Sequence, residues 1–296
     1  MSAAIRLDDR TGTREVAEFF GSSPLRLFGC AYLPAENVGG VVVCPSVHAE
    51  FHRNYHREVE LGRHMVAEGF AVQRFHYRGA GHSDGDRSTI TLDTMIEDAL
   101  SAAEHLSGRD SIDRLGFVGT RLGAVVAAAA ASRFDGSPVA LWEPVIEPDR
   151  YVREILRAGR IHELRKEAND PRSQKEQVAE LRSTGTLDAL GYTITRPLYE
   201  SLAGRTLERE LGSPPRALLL VEIGRGSKLR REYSAAAERW AGQGFDVATH
   251  VVDAMTEPWW FVRGRSISEE ESLTEDLVQA TARWLGERFA AAGESP

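Results

Sequence analysis

The stretch GFVGTRLGAVVAAAAA, residues 116–131, decides how the rest of the chain is interpreted. An apolar run beginning at Leu115 leads into a tight turn with glycine at positions 119 and 123, and an alanine-rich segment follows. This order predicts a buried strand, a sharp turn and a helix in direct succession. Arg121 stands at the tip of the turn.

Strand and helix signals alternate on both sides of this stretch. Alternation of this kind predicts an α/β fold with a mostly parallel sheet and helices on both faces. The predicted strands are 25–33, 41–45, 70–76, 115–119, 138–142, 216–222 and 245–252; the predicted helices are 53–68, 92–107, 121–133, one from about 149, 229–242 and 269–292.

The segment 155–205 interrupts the alternation. It is polar, favours helix and carries no convincing strand signal, and it is too long for a simple crossover. We therefore predict a helical cap over the carboxyl edge of the sheet, where ligands bind in such folds. The chain then divides into a first part of the core at 1–154, the cap at 155–205 and a second part of the core at 206–296.

Composition excludes several classes of partner. The formal net charge of the 296 residues is −8, which argues against nucleic acid. The longest apolar run, 122–132, is shorter than the ~20 residues of a membrane span, and the N-terminus lacks the pattern of a signal peptide. We expect a cytoplasmic protein with no membrane contact, and two cysteines, Cys30 and Cys44, as free thiols.

Several motifs together resemble the α/β-hydrolase superfamily. They are GVVVCPSVHAE (40–50), HYRGAGHSDG (76–85) and VGTRLGA (118–124), the last at the position of the superfamily's nucleophile elbow, G-x-S-x-G. With LWEPV (141–145), YVREILR (151–157) and EPWW (257–260), the chain is similar to a hydrolase-like subfamily that occurs beside exosortase systems and also carries arginine at the elbow. The resemblance implies the α/β-hydrolase fold, because it covers roughly residues 20–160 and 215–290.

The resemblance does not extend to a serine triad. Such a triad needs serine at the elbow and histidine on the loop after the last strand, with a carboxylate to orient it. Arg121 replaces the serine, and the loop DAMTEPWWFVRG (253–264) has no histidine. His250 lies within the preceding predicted strand, where we expect it to pack. Serine acyl transfer at this elbow is therefore not expected.

Two interpretations of Arg121 stay open. In the first, its guanidinium and the backbone N–H groups of Leu122 and Gly123 bind an anionic group of a substrate, because a helix N-terminus favours negative charge. In the second, Arg121 forms an internal ion pair with Glu143 or Glu222, each at the end of a neighbouring predicted strand, since an unpaired buried guanidinium is very unfavourable.

The second candidate cluster follows the predicted strand 41–45. His48 and His52 are candidates for general acid–base catalysis, because histidine titrates near neutral pH, and Glu143 is a third candidate. The H-x3-H spacing alone is a weak metal signal, so we expect no metal and no cofactor. The further candidates for substrate binding are Glu50, His56, Glu222, Glu257, Trp259 and Trp260.

Three functions fit these observations. The first is a small-molecule enzyme that binds an anionic substrate or leaving group at Arg121 and performs elimination, isomerisation or non-covalent hydrolysis. The second is a non-catalytic binding or partner subunit, in which Trp259 and Trp260 contact a protein partner or a second copy of the chain. The third is a hydrolase with a displaced nucleophile such as Ser46.

Overall fold

The computed structural model describes residues 4–8, 12–109, 112–165, 173–253 and 267–293. Within these residues nine strands form one mixed sheet, in which six neighbouring strands run parallel and three at one side run antiparallel. The strands are β1 (Ala4–Asp8), β2 (Thr13–Phe20), β3 (Leu27–Leu33), β4 (Gly39–Cys44), β5 (Phe70–Phe75), β6 (Leu115–Thr120), β7 (Val139–Trp142), β10 (Ala217–Gly224) and β11 (Asp246–Asp253), in the order β1-β2-β3-β5-β4-β6-β7-β10-β11.

Helices cover both faces of the sheet. They are α1 (Ala49–Ala67), α2 (Leu92–Ser107), α3 (Leu122–Ala131), α4 (Pro148–Arg165), α5 (Gln174–Thr184), α6 (Arg196–Ser201), α7 (Leu207–Glu210), α8 (Arg231–Gly242) and α9 (Ile267–Gly293), with a short 3-10 helix at Arg87–Thr89. α1 and α9 pack on one face, and α2, α3 and α8 pack on the other. No helix among the described residues is long and apolar enough to cross a membrane.

The central strands have the composition that burial on two faces requires. Every residue of β4 (GGVVVC) and β6 (LGFVGT) is buried, and apart from one threonine the two strands contain only apolar residues, glycine and cysteine. The two strands are neighbours, with Cys44 opposite Gly119, so the turns that follow them meet at the same edge. α1 and α3 both begin at this edge, which places His48 and Arg121, their N-cap residues, close together.

The segment between β7 and β10 contains strands that the sequence analysis did not predict. β8 (Thr186–Ala189) and β9 (Tyr192–Thr195) form a separate antiparallel hairpin among the helices α4 to α7. The expectation that 155–205 has no strand is therefore wrong. Its two-residue turn, Leu190–Gly191, has positive φ at both positions, as a tight hairpin turn needs, but leucine gives no sequence signal for that conformation.

Candidate functional site

The turn between β6 and α3 has the sharp geometry of an elbow. Arg121 has φ 56° and ψ −118°, a conformation that few non-glycine residues adopt. The two flanking glycines are required because a Cβ on Gly119 would lie 2.3 Å from the carbonyl oxygen of Gly123, and one on Gly123 would lie 2.3 Å from that of Cys44. The predicted glycine-flanked turn is thus confirmed, with arginine at its tip.

Arg121 is buried and hydrogen-bonded in several directions. Its side chain is 4% exposed, and its Nε donates to Glu50 Oε1 at 2.9 Å. Nη1 donates to the backbone oxygen of Glu143 at 3.1 Å, and Nη2 to Glu154 Oε2 at 3.2 Å. Tyr151 donates to the other oxygen of Glu50 at 2.9 Å. The pair therefore connects the elbow with the first turn of α1 and with α4.

Burial and the charge of the partner have opposite effects on the pKa values of Glu50 and Arg121. Burial raises the pKa of Glu50 above its ordinary value, although the guanidinium of Arg121 counteracts it. Burial, the largest single effect, would lower the pKa of Arg121, but the surrounding acidic groups, with Glu50 first among them, together outweigh it and the net pKa is raised. Arg121 is therefore a permanent cation with a buried carboxylate as its main partner.

The acidic partner differs from the two that the sequence analysis offered. Only the backbone oxygen of Glu143 reaches Arg121, because Glu143 has φ 46° and its carboxylate points to β10. That carboxylate accepts from the N–H of Ile223 at 2.6 Å and pairs with Arg230. Glu222 accepts from the N–H of Arg230 at 2.6 Å. Arg121 does form an internal ion pair, but its buried partner is Glu50. The prediction that the partner is Glu143 or Glu222 is wrong.

Arg230, which is 37% exposed, pairs with the buried Glu143 in a second network that the sequence did not indicate. It lies 3.8 Å from the ring centroid of Tyr233, whose hydroxyl donates to the oxygen of Pro144 at 2.8 Å. Burial raises the pKa of Glu143, opposed by the charges of Arg230 and Arg121. Glu143 is fully buried, and it does not line the cavity described next. A general-base function for Glu143 has no geometric support.

A cavity of about 320 Å³ lies beside the elbow, under the hairpin. Four segments of the described chain form its walls: the loop 45–48 after β4, the first turn of α1, the segment 76–90 after β5, and the hairpin strand β9 with α6. Arg121 and Glu50 lie outside the cavity, on the far side of the loop that carries His48. The cavity therefore contains some of the predicted site residues but not Arg121.

His48 forms part of the cavity wall and is held in a strained conformation. Its φ is 56° and its ψ is −137° at the N-cap of α1. Its Nδ1 is buried without a hydrogen-bond partner among the described residues. Burial, with a contribution from the positive charge of Arg87, lowers the pKa of His48 to about 4. The imidazole is therefore neutral at pH 7 and has one unused polar atom.

Two further histidines line the cavity. His52, on the first turn of α1, is exposed, and its ring lies 5.7 Å from that of Tyr192 in β9. His76 accepts a hydrogen bond on Nδ1 from the N–H of His82 at 3.2 Å, and burial lowers its pKa to about 4. His76 thus makes a structural contact and also lines the cavity.

Arg87 is the cavity residue that the sequence analysis missed. It lies in the 3-10 helix, is exposed and lines the cavity. No carboxylate of the described residues is within 4.0 Å of its guanidinium, in contrast to Arg121 and Arg230. Nothing in the sequence GDRST around it distinguishes it from a surface arginine.

The remaining predicted residues lie elsewhere. His56 is exposed on α1 and does not line the cavity, and Leu122 is fully buried at the start of α3. His250 lies on the edge strand β11, with Nε2 3.1 Å from Asp276 Oδ1 of α9, so it packs against a helix away from the cavity. Glu257, Trp259 and Trp260 are outside the described residues.

The described residues contain no group of three or more histidine, cysteine or acidic side chains placed to hold a metal ion. Cys30 and Cys44 are both free thiols, as the sequence predicts, and Cys44 is buried.

Comparison with known proteins agrees with this architecture. The sequence model of the S33 serine aminopeptidases, a family of α/β-hydrolases, matches residues 39–179. The esterase Pf2001 of Pyrococcus furiosus is similar in structure, with a TM-score of 0.62 at 17% identity over 94% of this chain and 92% of its own. Est1E of Butyrivibrio proteoclasticus, in a structure with bound ferulic acid, has a TM-score of 0.61 at 15% identity over 92% of this chain and 99% of its own.

No curated protein sequence matches the chain significantly. The chain has the α/β-hydrolase fold, which confirms the predicted fold class. At such low identity these likenesses define the fold and not the reaction.

Proposed function

We propose that the protein is a small-molecule enzyme of the α/β-hydrolase fold that transfers protons in the cavity beside the elbow and does not use a serine nucleophile there. The observation that carries the proposal is His48, which lines the cavity, has a strained backbone and has no hydrogen-bond partner for its buried Nδ1 among the described residues. Strain and unsatisfied polar atoms persist at sites where function needs them, since each destabilises the folded state.

His48 supplies the group that meets the reacting atom. Its neutral imidazole accepts or donates a hydrogen bond to a bound substrate, and the negative charge of an anionic substrate would raise its pKa from about 4 toward neutrality. The imidazole of His48 then takes a proton from a substrate C–H or O–H and returns it to another substrate atom or to a leaving group. Isomerisation, elimination and activation of a water for direct hydrolysis are all compatible with such a step.

His52 supplies the exchange of protons with solvent. It is one turn along α1 from His48, is exposed, and borders the same cavity beside Tyr192. A proton removed from the substrate can leave the cavity at this side. In this proposal His48 exchanges a proton with the substrate, and His52 exchanges a proton with water.

Arg121 and Glu50 act in this proposal as positioning residues. An anion could bind Arg121 only by displacing a group that already hydrogen-bonds with it, and the buried member of these, the Glu50 carboxylate, is two residues from His48. The pair therefore supports the strained start of α1 and with it the orientation of His48. Arginine at the elbow also supports our proposal that the chain belongs to the exosortase-associated subfamily that it resembles.

Deuterium exchange tests the chemistry without a known substrate. We would incubate the protein in D2O with a panel of 3-oxo and 3-hydroxy carboxylates and follow loss of the α-proton by NMR. Wild type should catalyse exchange in at least one compound, and His48→Ala should slow it about 100-fold or more. His250→Ala, which changes a histidine on β11 far from the cavity, is the matched control and should leave the rate unchanged.

Retention of the exchange rate in His48→Ala would contradict the proposal. A fluorophosphonate probe separates the displaced-nucleophile alternative, because it labels an activated serine. We expect no labelling of Ser46, whose hydroxyl is buried and accepts from Asn54 Nδ2 at 3.0 Å. If wild type neither exchanges nor is labelled, the non-catalytic binding subunit becomes the better explanation.

A further inference from the structure

The cavity carries a single permanent charge. Among the described residues that line it, Arg87 is the one arginine, and there is no lysine, aspartate or glutamate. His48 and His76 are neutral at pH 7 because the pKa of each is about 4. A cationic ligand would find no counter-charge in such a cavity, whereas a monoanion would balance its charge.

The guanidinium of Arg87 is available to a ligand. The carboxylate next to it, on Asp86, accepts from the N–H of Ser88 at 2.7 Å as the cap of the 3-10 helix. No acidic side chain of the described chain forms an ion pair with Arg87. Arginine binds a carboxylate with two parallel hydrogen bonds, so Arg87 is suited to a planar acidic group at the cavity mouth.

The walls of the cavity favour a flat ligand. Six of the lining residues present rings, and these are His48, Phe51, His52, His76, Tyr77 and Tyr192. Aromatic rings bind other rings by stacked and edge-to-face contacts. The volume of about 320 Å³ is at the lower end of the range of small-molecule sites, which suits a one- or two-ring compound.

The polar groups of the cavity wall differ in whether they are already hydrogen-bonded. The hydroxyl of Tyr77 is already used, because it donates to the oxygen of Pro45 at 3.1 Å. The Nδ1 atom of His48 is buried and has none in the described structure. The imidazole of His48 lines the cavity, so a polar substituent on the ligand, at the end away from the acid, can hydrogen-bond with this ring.

We infer that the cavity binds a monoanionic aromatic acid, with its carboxylate on Arg87, its ring between the aromatic walls and a hydroxyl or oxo substituent on His48. This inference rests on the proposed function, since it names the substrate class of the same cavity. It also assigns Arg87, which has no function in the proton transfer itself, as the residue that selects an acid.

Calorimetric binding of 2-naphthoate and its neutral amide, 2-naphthamide, tests this assignment. Wild type should bind the acid about tenfold more tightly than the amide, as expected for one charge-assisted contact near the surface. Arg87→Gln should remove this difference by weakening the acid alone. Arg133→Gln, which changes an exposed arginine beyond the other end of α3, is the matched control and should bind as wild type.

Three results of the binding experiment would contradict the inferred ligand class. The inference is overturned if Arg87→Gln binds 2-naphthoate as wild type does, if acid and amide bind alike, or if neither binds at about 10 mM. The variant His48→Ala separates failure of the ligand assignment from failure of the proposed function. It should lose proton exchange but still bind 2-naphthoate. Binding that depends on Arg87 without any effect of His48 on proton exchange would retain the ligand class and remove the catalytic proposal.

Discussion

At the scale of the residue, the elbow has the backbone geometry of a catalytic turn but carries a side chain that forms an ion pair. Arg121 has the conformation that presents a nucleophile in catalytic members of the superfamily, yet its side chain lies buried against Glu50. Removing two charges from water is unfavourable, and only close pairing and further hydrogen bonds offset it. Tyr151 and the oxygen of Glu143 provide those hydrogen bonds. The pair is therefore best described as a structural element beside the cavity.

Replacing one member of this pair should be far more harmful than replacing both. Arg121→Met leaves Glu50 charged, buried and without its partner, which should lower the free energy of unfolding by about 3–5 kcal/mol. The double variant Arg121→Met/Glu50→Gln should recover about 2 kcal/mol or more, because the amide is neutral and still accepts from Tyr151. Urea unfolding at pH 7 measures both values.

The pH dependence gives an independent check. Without Arg121, the folded pKa of Glu50 rises further above its unfolded value, so the folded state takes up a proton first. The decrease in the free energy of unfolding caused by Arg121→Met should therefore become smaller as the pH falls from 7 toward 4.5. A double variant as unstable as the single variant, or a loss independent of pH, would argue against a buried ion pair.

At the scale of the element, the unit β6–elbow–α3 is the part of the molecule that the sequence predicts best. A short buried strand, two glycines and an alanine-rich helix are local signals, and each agrees with the next. Its partners in space were not predictable in the same way. The direction of the Glu143 carboxylate depends on one positive φ angle, and the hairpin β8–β9 depends on a leucine in a conformation that leucine rarely adopts.

The elbow should tolerate no side chain at its second glycine. Gly123→Ala would place a methyl group 2.3 Å from the backbone oxygen of Cys44, and neither strand nor helix can move away easily. We expect a loss of about 3 kcal/mol or more in the free energy of unfolding. Gly286→Ala in α9 is the control, because its Cβ meets nothing within 4 Å and should stabilise by about 0.5–1 kcal/mol. A Gly123→Ala protein as stable as wild type would contradict the described elbow.

At the scale of the whole molecule, the sheet gathers residues that are far apart in sequence at one edge. The class of fold, the order of most elements and the edge at which the site lies follow from alternation and motif alone. The cavity itself could not be predicted, because its walls come from four separate segments. Its volume depends on how the hairpin docks, and Arg87 gains its significance only from the absence of an acidic neighbour among the described residues.

The buried histidines should make global stability sensitive to acid. The unfolded chain protonates His48 near its ordinary pKa of 6.5, while the folded protein does so only near 4. Between these values unfolding takes up a proton, so the free energy of unfolding falls as the pH is lowered from 6.5 to 4. His48→Gln lacks this contribution, so its free energy of unfolding should fall by about 1–2 kcal/mol less than that of wild type between pH 6.5 and 4. Urea unfolding at several pH values measures this difference. Parallel pH curves for the two proteins would show that His48 is not held neutral.

The hairpin β8–β9 hydrogen-bonds as a two-stranded sheet of its own and shares no strand pairing with the nine strands of the core. A two-stranded unit is weakly stable alone, so it can open while the core stays folded. Its amide hydrogens should then exchange with solvent well before those of β4 or β6. Because Tyr192 and Thr193 form one wall of the cavity, each such opening would widen the route by which a bound molecule leaves.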